Sequence, residues 1–218
     1  MIIDLGRASY REAYRLQRQL VRLRKLNEIG DTAVLVEHEP VYTIGKSGSR
    51  KNLLVDERVL RDKDIEVIDV DRGGDITFHG PGQLVLYLIV DLKTKRRDLF
   101  YFMRQLEEIG IGFLGSFGVM GYRMTGKTGV WVRGAKIASI GIAAKDWITY
   151  HGMSINVNVD MRYFALINPC GMRSARITSL RNVLGSPIDP GLAKRYLIDH
   201  LQRSFTVEER FEQIPALV

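Results

Sequence analysis

A glycine-rich stretch at residues 72–83 constrains the fold of this 218-residue chain more than any other part of the sequence. It reads Arg-Gly-Gly-Asp-Ile-Thr-Phe-His-Gly-Pro-Gly-Gln and separates two apolar runs, 65–70 and 84–90, with the β-branched and aromatic composition of strands. Glycine lets a backbone take positive φ and approach a ligand closely, and proline fixes one torsion. The stretch predicts a shaped loop between two strands of a rigid sheet. A structural hairpin loop is the alternative, but Arg72, Thr77, His79 and Gln83 favour a binding loop.

Helical periodicity recurs in three other parts of the chain. Ser9 and Glu12 have the spacing of a capping box and predict a helix over 10–27, ended by Gly30. Asp98 is a suitable N-cap for a second helix with an apolar face, which three glycines weaken from residue 110 onward. Pro190 predicts the start of a last helix that reaches about residue 205. A short helix capped by Asp56 is also expected.

Short apolar runs predict the remaining strands, at 33–37, 41–44, 129–132, 135–143, 147–150 and 154–159. Helices and strands interleave without a regular βαβ repeat. We therefore expect an α+β fold, a single domain over 1–218 with a mixed, largely antiparallel β-sheet flanked by helices.

Composition limits the functional classes. No apolar run reaches membrane-spanning length and the N-terminus lacks the pattern of a signal peptide, so we expect a cytoplasmic protein, not a membrane protein. The net charge of +7 predicts an acidic partner, either nucleic acid or an acidic protein. The chain has no zinc-ligand spacing and no aromatic RNA-binding motif, which disfavours a dedicated nucleic-acid binder and predicts no metal site.

The single cysteine, Cys170, lies between Pro169 and Gly171 and is a candidate nucleophile. An unperturbed thiol with a pKa of about 8.5 is only about 3% thiolate at pH 7, so it needs a base or cation beside it. His79, His151 and Lys136 are the candidates. Lys136 has small or apolar neighbours, and partial desolvation makes a lysine a better proton acceptor. An incidental thiol and a lysine that extends to solvent from a strand are the alternatives.

Three blocks of sequence together resemble the lipoyl(octanoyl) transferase family, which is similar in fold to biotin and lipoate protein ligases. They are residues 72–83; Thr128-Gly129-Val130-Trp131-Val132 with 136–141; and His151-Gly152 with Asn156-Val157 and Pro169-Cys170-Gly171. Residues 37–45 also fit, so the resemblance covers roughly 5–184. Leu88 and Asn168 depart from the family pattern, and neither is Cys170 or Lys136.

The resemblance implies an acyltransferase that moves an octanoyl or lipoyl group from acyl carrier protein to a lysine of lipoyl domains, in 2-oxoacid dehydrogenase complexes and the glycine cleavage H protein. It implies Cys170 as the acyl-thioester nucleophile, Lys136 as its proton-transfer partner, no cofactor and a monomer. The substrate-binding residues that it implies are Arg72, Gly73, Gly74, Asp75, Ile76, Thr77, Phe78, His79, Ser139, Ile140, Gly141, Gly152, Met153 and Ser154. An ATP-dependent lipoate or biotin protein ligase is the nearest alternative, and a binding module without catalysis is a more distant one.

Overall fold

The computed structural model describes residues 1–168 and 176–205, which form ten strands and five α-helices. The strands are β1 (Ile2–Ala8), β2 (Thr32–His38), β3 (Val41–Ile44), β4 (Glu66–Asp69), β5 (Ile76–His79), β6 (Gln83–Ile89), β7 (Tyr122–Met124), β8 (Lys127–Val132), β9 (Ala135–Lys145) and β10 (Ile148–Asn156). The helices are α1 (Tyr10–Lys25), α2 (Glu57–Arg61), α3 (Leu99–Gly115), α4 (Leu180–Leu184) and α5 (Pro190–Ser204). Short 3-10 helices lie at Arg50–Asn52, Leu92–Thr94 and Met161–Leu166.

Seven strands form a large mixed sheet in the order β1-β2-β6-β10-β9-β8-β7. Only the β1 and β2 pair is parallel in this sheet, so the sheet is largely antiparallel. The central strands β6 and β10 are buried along their whole length. The predicted α+β class with a mixed, helix-flanked sheet is confirmed, whereas the extent of the domain over 1–218 stays a prediction.

Helices cover both faces of the large sheet. The Ser9 hydroxyl accepts a hydrogen bond from the Glu12 N–H, and the Glu12 carboxylate accepts one from the Ser9 N–H, so the predicted capping box starts α1. The buried face of α1 packs on β6 and β10, and α3 and α5 pack on the opposite face. Among the described residues, no helix combines the length and apolar character needed to cross a bilayer.

A second sheet of three strands, in the order β4-β3-β5, has its own apolar cluster with the 3-10 helix Met161–Leu166. The strands β5 and β6 are consecutive in the chain but belong to different sheets, and Gly80, Pro81 and Gly82 connect them. A Cβ on Gly82 would lie 2.6 Å from the backbone of Asn158, so only glycine fits at this crossing.

Several predicted elements need correction. Residues 76–79 are a strand and not part of a loop, because Ile76 and Phe78 alternate with Thr77 and bury their side chains while pairing with β3. The runs at 147–150 and 154–159 are joined in one strand, β10, which starts at Ile148 and ends at Asn156, short of the predicted residue 159. The helix α3 continues through its glycines to Gly115, and a Cβ on Gly112 would lie 2.4 Å from the His200 ring of α5, so glycine there lets the two helices pack closely. The strand β1 was not predicted at all.

Candidate active site

A cavity lies between the α1-side face of the large sheet and the three-stranded sheet. Small residues from two paired strands form its floor: Ser139 pairs with Ser154, and Gly141 pairs with Gly152. The stretch from Gly74 to Thr77 lines the opposite side. The cavity volume is about 60 Å³, so the space is narrow.

Most of the substrate-binding residues implied by the resemblance line this cavity. They are Arg72, Gly74, Asp75, Ile76, Thr77, His79, Ser139, Ile140, Gly141, Gly152, Met153 and Ser154, and Lys136 lines it as well. Gly73 lies beside the cavity and donates its N–H to the Ile142 carbonyl over 2.8 Å. Phe78 does not line it, because its ring packs in the cluster of the small sheet, stacked 4.4 Å from the ring of Tyr163. Cys170 lies outside the described residues.

Two glycines on the floor allow close approach of backbones. A Cβ on Gly152 would lie 2.2 Å from the Leu86 carbonyl oxygen, and one on Gly141 would lie 2.8 Å from the Gly73 carbonyl oxygen. Glycine at these positions therefore lets strand and loop pack tightly against the floor, in addition to leaving the cavity free of side chains.

Side-chain hydrogen bonds fix the glycine-rich stretch over the cavity. The buried Arg72 guanidinium donates to the carbonyl and hydroxyl oxygens of Thr43, at 2.8 and 2.9 Å, and to the Gly73 carbonyl at 3.0 Å. The Asp75 carboxylate accepts from the Asn52 amide and from the backbone N–H of Ser49. Arg72 therefore anchors one side of the stretch and Asp75 the other.

Lys136 lies at one end of the cavity and is 6% exposed. The pairing of β8 with β9 shifts register beside it, where Val130 pairs with Ala138 but Trp131 pairs with Lys136. Such a bulge re-aims the side chains around it. The Lys136 ammonium lies 5.2 Å from the centre of the Trp131 ring. Its backbone N–H and carbonyl bond to Arg176 and Thr178, so the chain that follows residues 169–175 is held against it.

The buried carboxylate of Glu107 hydrogen-bonds to the backbone next to this bulge. Glu107 of α3 is 1% exposed and accepts the Gly129 N–H at 3.0 Å, and it also pairs with Arg104 and Arg123. Gly129 has a φ of 122°, and a Cβ there would lie 2.5 Å from the Ala138 carbonyl and 3.3 Å from Cε of Lys136. Glu107 therefore holds the backbone against which the lysine side chain packs.

Two histidines and two tyrosines line the cavity, and a third histidine, His38, packs against them. The ring of His79 is bonded through Nδ1 to the Gln83 amide oxygen at 2.7 Å, and His38 is bonded through Nε2 to the Tyr87 hydroxyl at 2.7 Å. His151 is bonded through Nε2 to Asp71 at 2.9 Å. His151 also has a φ of 58° inside a strand, a strained conformation for a residue with a side chain.

Burial keeps these histidines neutral. Desolvation lowers the pKa of His38 and of His151 to about 4, and it lowers the pKa of His79 well below the ordinary value. Neutral, weakly basic imidazoles are poorly suited to activate a thiol at pH 7. Lys136 stays the predicted partner of Cys170, which lies outside the described residues.

Sequence reasoning missed part of the lining. Tyr10, Val85, Tyr87, Phe164 and Ile177 line the cavity, and His151 joins them without having been assigned to substrate binding. They come from α1, β6, a 3-10 helix and the chain after residue 175, so no local motif connects them. Among the described residues, no three His, Cys, Asp or Glu side chains converge as metal ligands do.

Comparison with known proteins gives the family. The lipoyl protein ligase A/B catalytic domain matches residues 9–202. An octanoyltransferase of Syntrophotalea carbinolica is 45% identical over 92% of this chain and 92% of its own length, and one of Caldicellulosiruptor bescii is 47% identical over 84% and 82%. The structure of a bipartite lipoate protein ligase and its E2 lipoyl domain from Thermoplasma acidophilum superposes with a TM-score of 0.75 at 13% identity, covering 99% of this chain and 87% of that chain. The family suggested by the sequence motifs is confirmed, and the chain belongs to the lipoyl protein ligase A/B catalytic-domain family, among relatives that are octanoyltransferases.

Proposed function

We propose that this octanoyltransferase works through a thioester on Cys170, with Lys136 as the proton-transfer partner. The observation that carries the proposal is the position of Lys136, buried at one end of the cavity and bonded through its backbone to Arg176 and Thr178. Asn168, on the other side of the segment that carries Cys170, donates its N–H to the Asn52 carbonyl at 2.7 Å. Asn52 in turn bonds to Asp75 of the cavity lining. Both ends of a seven-residue segment are thus anchored beside the cavity.

In the first half-reaction, the Cys170 thiol gives its proton to the Lys136 side chain, and the thiolate attacks the carbonyl carbon of an octanoyl thioester. A bond from carbon to Cys170 sulfur forms and the bond to the donor's sulfur breaks. The leaving thiolate takes the proton from Lys136. One thioester replaces another, and backbone N–H groups stabilise the oxyanion.

In the second half-reaction, the neutral amine of an acceptor lysine attacks the octanoyl-enzyme. The amide bond forms as the bond to the Cys170 sulfur breaks, and Lys136 passes the proton of the amine to the leaving thiolate. The cycle returns Cys170 as a thiol and Lys136 as an amine. Because a thioester is converted to an amide, no ATP is consumed.

The cavity suits a saturated chain. Val85, Phe164 and Ile177 contribute apolar lining, and the small floor residues leave a narrow slot between the two sheets. An octanoyl chain attached beside Lys136 would run along this floor and bury its methylenes, at about 0.8 kcal/mol each.

The partners that we propose are an acyl carrier protein as donor and lipoyl domains as acceptors, including the glycine cleavage H protein. Carrier and lipoyl domains are acidic as families, and the net charge of +7 would steer them toward this chain. The structural likeness to a ligase whose partner is an E2 lipoyl domain agrees with this acceptor class.

Intact-mass spectrometry after mixing with octanoyl-acyl carrier protein, without ATP, tests the mechanism. We expect a mass gain of one octanoyl group that disappears in Cys170→Ser. Lys136→Arg should abolish transfer, because a guanidinium keeps its proton near neutral pH. The matched control is Lys127→Arg, since Lys127 lies 5.6 Å from the same Trp131 ring on the exposed side. Folded, active enzyme that gains no mass would refute the thioester, and a requirement for ATP would indicate a ligase.

A further inference from the structure

The cavity opens to solvent beside Gly74. Gly74 is exposed, whereas the other described residues that line the cavity are buried or half-buried. A protein that brings an acyl group to this cavity must therefore cover the surface around Gly74. Because a docked protein covers on the order of 800 Å² of its partner, exposed residues whose backbones contact the lining fall within the covered area.

The segment 45–52 borders this opening. The Lys46 N–H donates to the Arg72 carbonyl at 3.0 Å. The Ser47 N–H donates to the carbonyl of Gly74 itself at 3.2 Å. The segment reads Gly-Lys-Ser-Gly-Ser-Arg-Lys-Asn, with three cationic residues and no acidic one. Positive charge therefore lies along the edge of the opening.

Arg176 adds a further cation beside Lys136. Its side chain belongs to an exposed residue, and its carbonyl accepts the Lys136 N–H at 2.8 Å. The next residue, Ile177, lines the cavity. The chain around the cavity thus carries cations next to the glycine-rich stretch and next to the lysine.

These cations are available to a partner. Lys46, Lys51 and Arg176 are exposed, and none of them forms an ion pair within residues 1–168 and 176–205. Arg50 differs, because its guanidinium pairs with two carboxylates. Like charges without counter-charges repel each other and do not stabilise a fold, but they attract an anionic partner. The arrangement therefore favours a binding role for this surface.

Of the two protein substrates proposed above, the donor matches this charge better. An acyl carrier protein holds its acyl group on a phosphopantetheine arm, whose phosphodiester is an anion of the kind that lysine and arginine bind. The acceptor instead presents a lysine amine, which is positive until it loses its proton. Cations beside the opening attract the phosphodiester and repel the protonated amine. The charge of the opening therefore favours the carrier protein.

We propose that Lys46 and Lys51, together with Arg176, form the docking surface for an acyl carrier protein, and that they bind its acidic surface and the phosphodiester of its arm. The inference rests on the proposed donor but not on the thioester at Cys170. Exposed charges act mainly on the rate of association, which such fields raise by about 10- to 1,000-fold. The three residues bind the donor and take no part in the chemistry.

The experiment compares two donors that deliver the same octanoyl group. It measures kcat/KM for octanoyl-acyl carrier protein and for octanoyl-pantetheine, which lacks both the protein and the phosphate, with a lipoyl domain as acceptor. The test variant combines Lys46→Glu with Lys51→Glu. Both residues are exposed and unpaired among the described residues, so the fold is retained.

The matched control combines Lys63→Glu with Lys145→Glu, which changes the net charge equally at two other exposed lysines. Lys63 precedes β4, and β4 runs parallel to β3, so Lys63 lies at the end of the small sheet opposite segment 45–52. Lys145 lies nine residues along β9 from Lys136, or about 30 Å. Neither control lysine is next to the opening.

We expect the test variant to lose about tenfold in kcat/KM for octanoyl-acyl carrier protein and to keep the wild-type value for octanoyl-pantetheine, with no such change in the control. An unchanged value for the carrier protein, or an equal loss in the control, would overturn the inference. An equal loss with both donors, or a loss confined to the KM of the lipoyl domain, would overturn it as well. Wild type that transfers from neither donor would refute the proposed function, and the inference with it.

Discussion

Gly152→Ala is the substitution whose effect follows most directly from the geometry. Gly152 pairs with Tyr87 in the centre of the large sheet, and the added methyl carbon would lie 2.2 Å from the Leu86 carbonyl oxygen and 3.2 Å from Cα of Tyr87. Both distances are inside the 3.4 Å at which ordinary van der Waals contact begins. The obstacle is backbone, so no change of rotamer relieves it.

The two central strands must separate to accommodate the methyl group. Overpacking of a well-packed core costs about 1–3 kcal/mol, and we expect the upper end here because β6 and β10 are buried throughout. For a chain of this size, a loss of about 3 kcal/mol lowers the melting temperature by about 6–12 °C. The floor of the cavity moves with the strands, so octanoyl transfer should fall as well.

Thermal and urea unfolding of Gly152→Ala measure the loss. The same substitution at Gly115 is the control, since that exposed residue of α3 has nothing within 4 Å of the position of a Cβ. Gly115→Ala should stabilise the protein by up to about 1 kcal/mol, because alanine favours a helix. If the free energy of unfolding of Gly152→Ala lies within about 0.5 kcal/mol of the wild-type value, the packing reasoning is wrong.

Three further predictions concern charge. Glu107→Gln should lower the free energy of unfolding by about 1–3 kcal/mol and lower transfer, because Arg104, Arg123 and the Gly129 N–H share this carboxylate. Chemical unfolding and a transfer assay measure the two effects, with the exposed Glu108→Gln as control. Equal effects of the two substitutions would argue against a special role of Glu107. His38 and His151 have folded-state pKa values of about 4, below the unfolded value of about 6.5, so the unfolded state binds more protons between these pH values. The free energy of unfolding should therefore fall as pH drops from 6.5 to 4. A free energy of unfolding that stays constant over this range would contradict the low pKa values of the two histidines. Added salt should lower kcat/KM for an acidic carrier protein but not for a small octanoyl thioester, and equal salt effects on both would remove electrostatic steering.

Local patterns in the sequence predicted the elements whose signals are local. Ser9 and Glu12 form their capping box, and the apolar run after Gln83 is a central strand. Four residues of the motif at 136–141, namely Lys136, Ser139, Ile140 and Gly141, line the cavity. The resemblance to the family predicted most of the other residues that line the cavity.

Other features depend on contacts between distant residues. His151-Gly152 has the composition of a turn, yet it lies within β10, because Gly152 fits against Leu86 and His151 takes a positive φ. The strand β1 contains Asp4 and Gly6 and becomes a strand by pairing with β2. Tyr10 has the pattern of a first-turn helical residue and gives no sign of its place in the cavity.

The cavity has its floor in one sheet and its opposite side in another, and the consequence is energetic coupling between the two. An acyl chain in this space contacts both sheets at once, so its binding energy holds them together. Local opening of the small sheet then requires loss of these contacts. Amide hydrogen exchange in β5 should slow when the enzyme is acylated, whereas α3, on the far face of the large sheet, keeps its exchange rate. Each cycle of loading and transfer would thus tighten and release the small sheet.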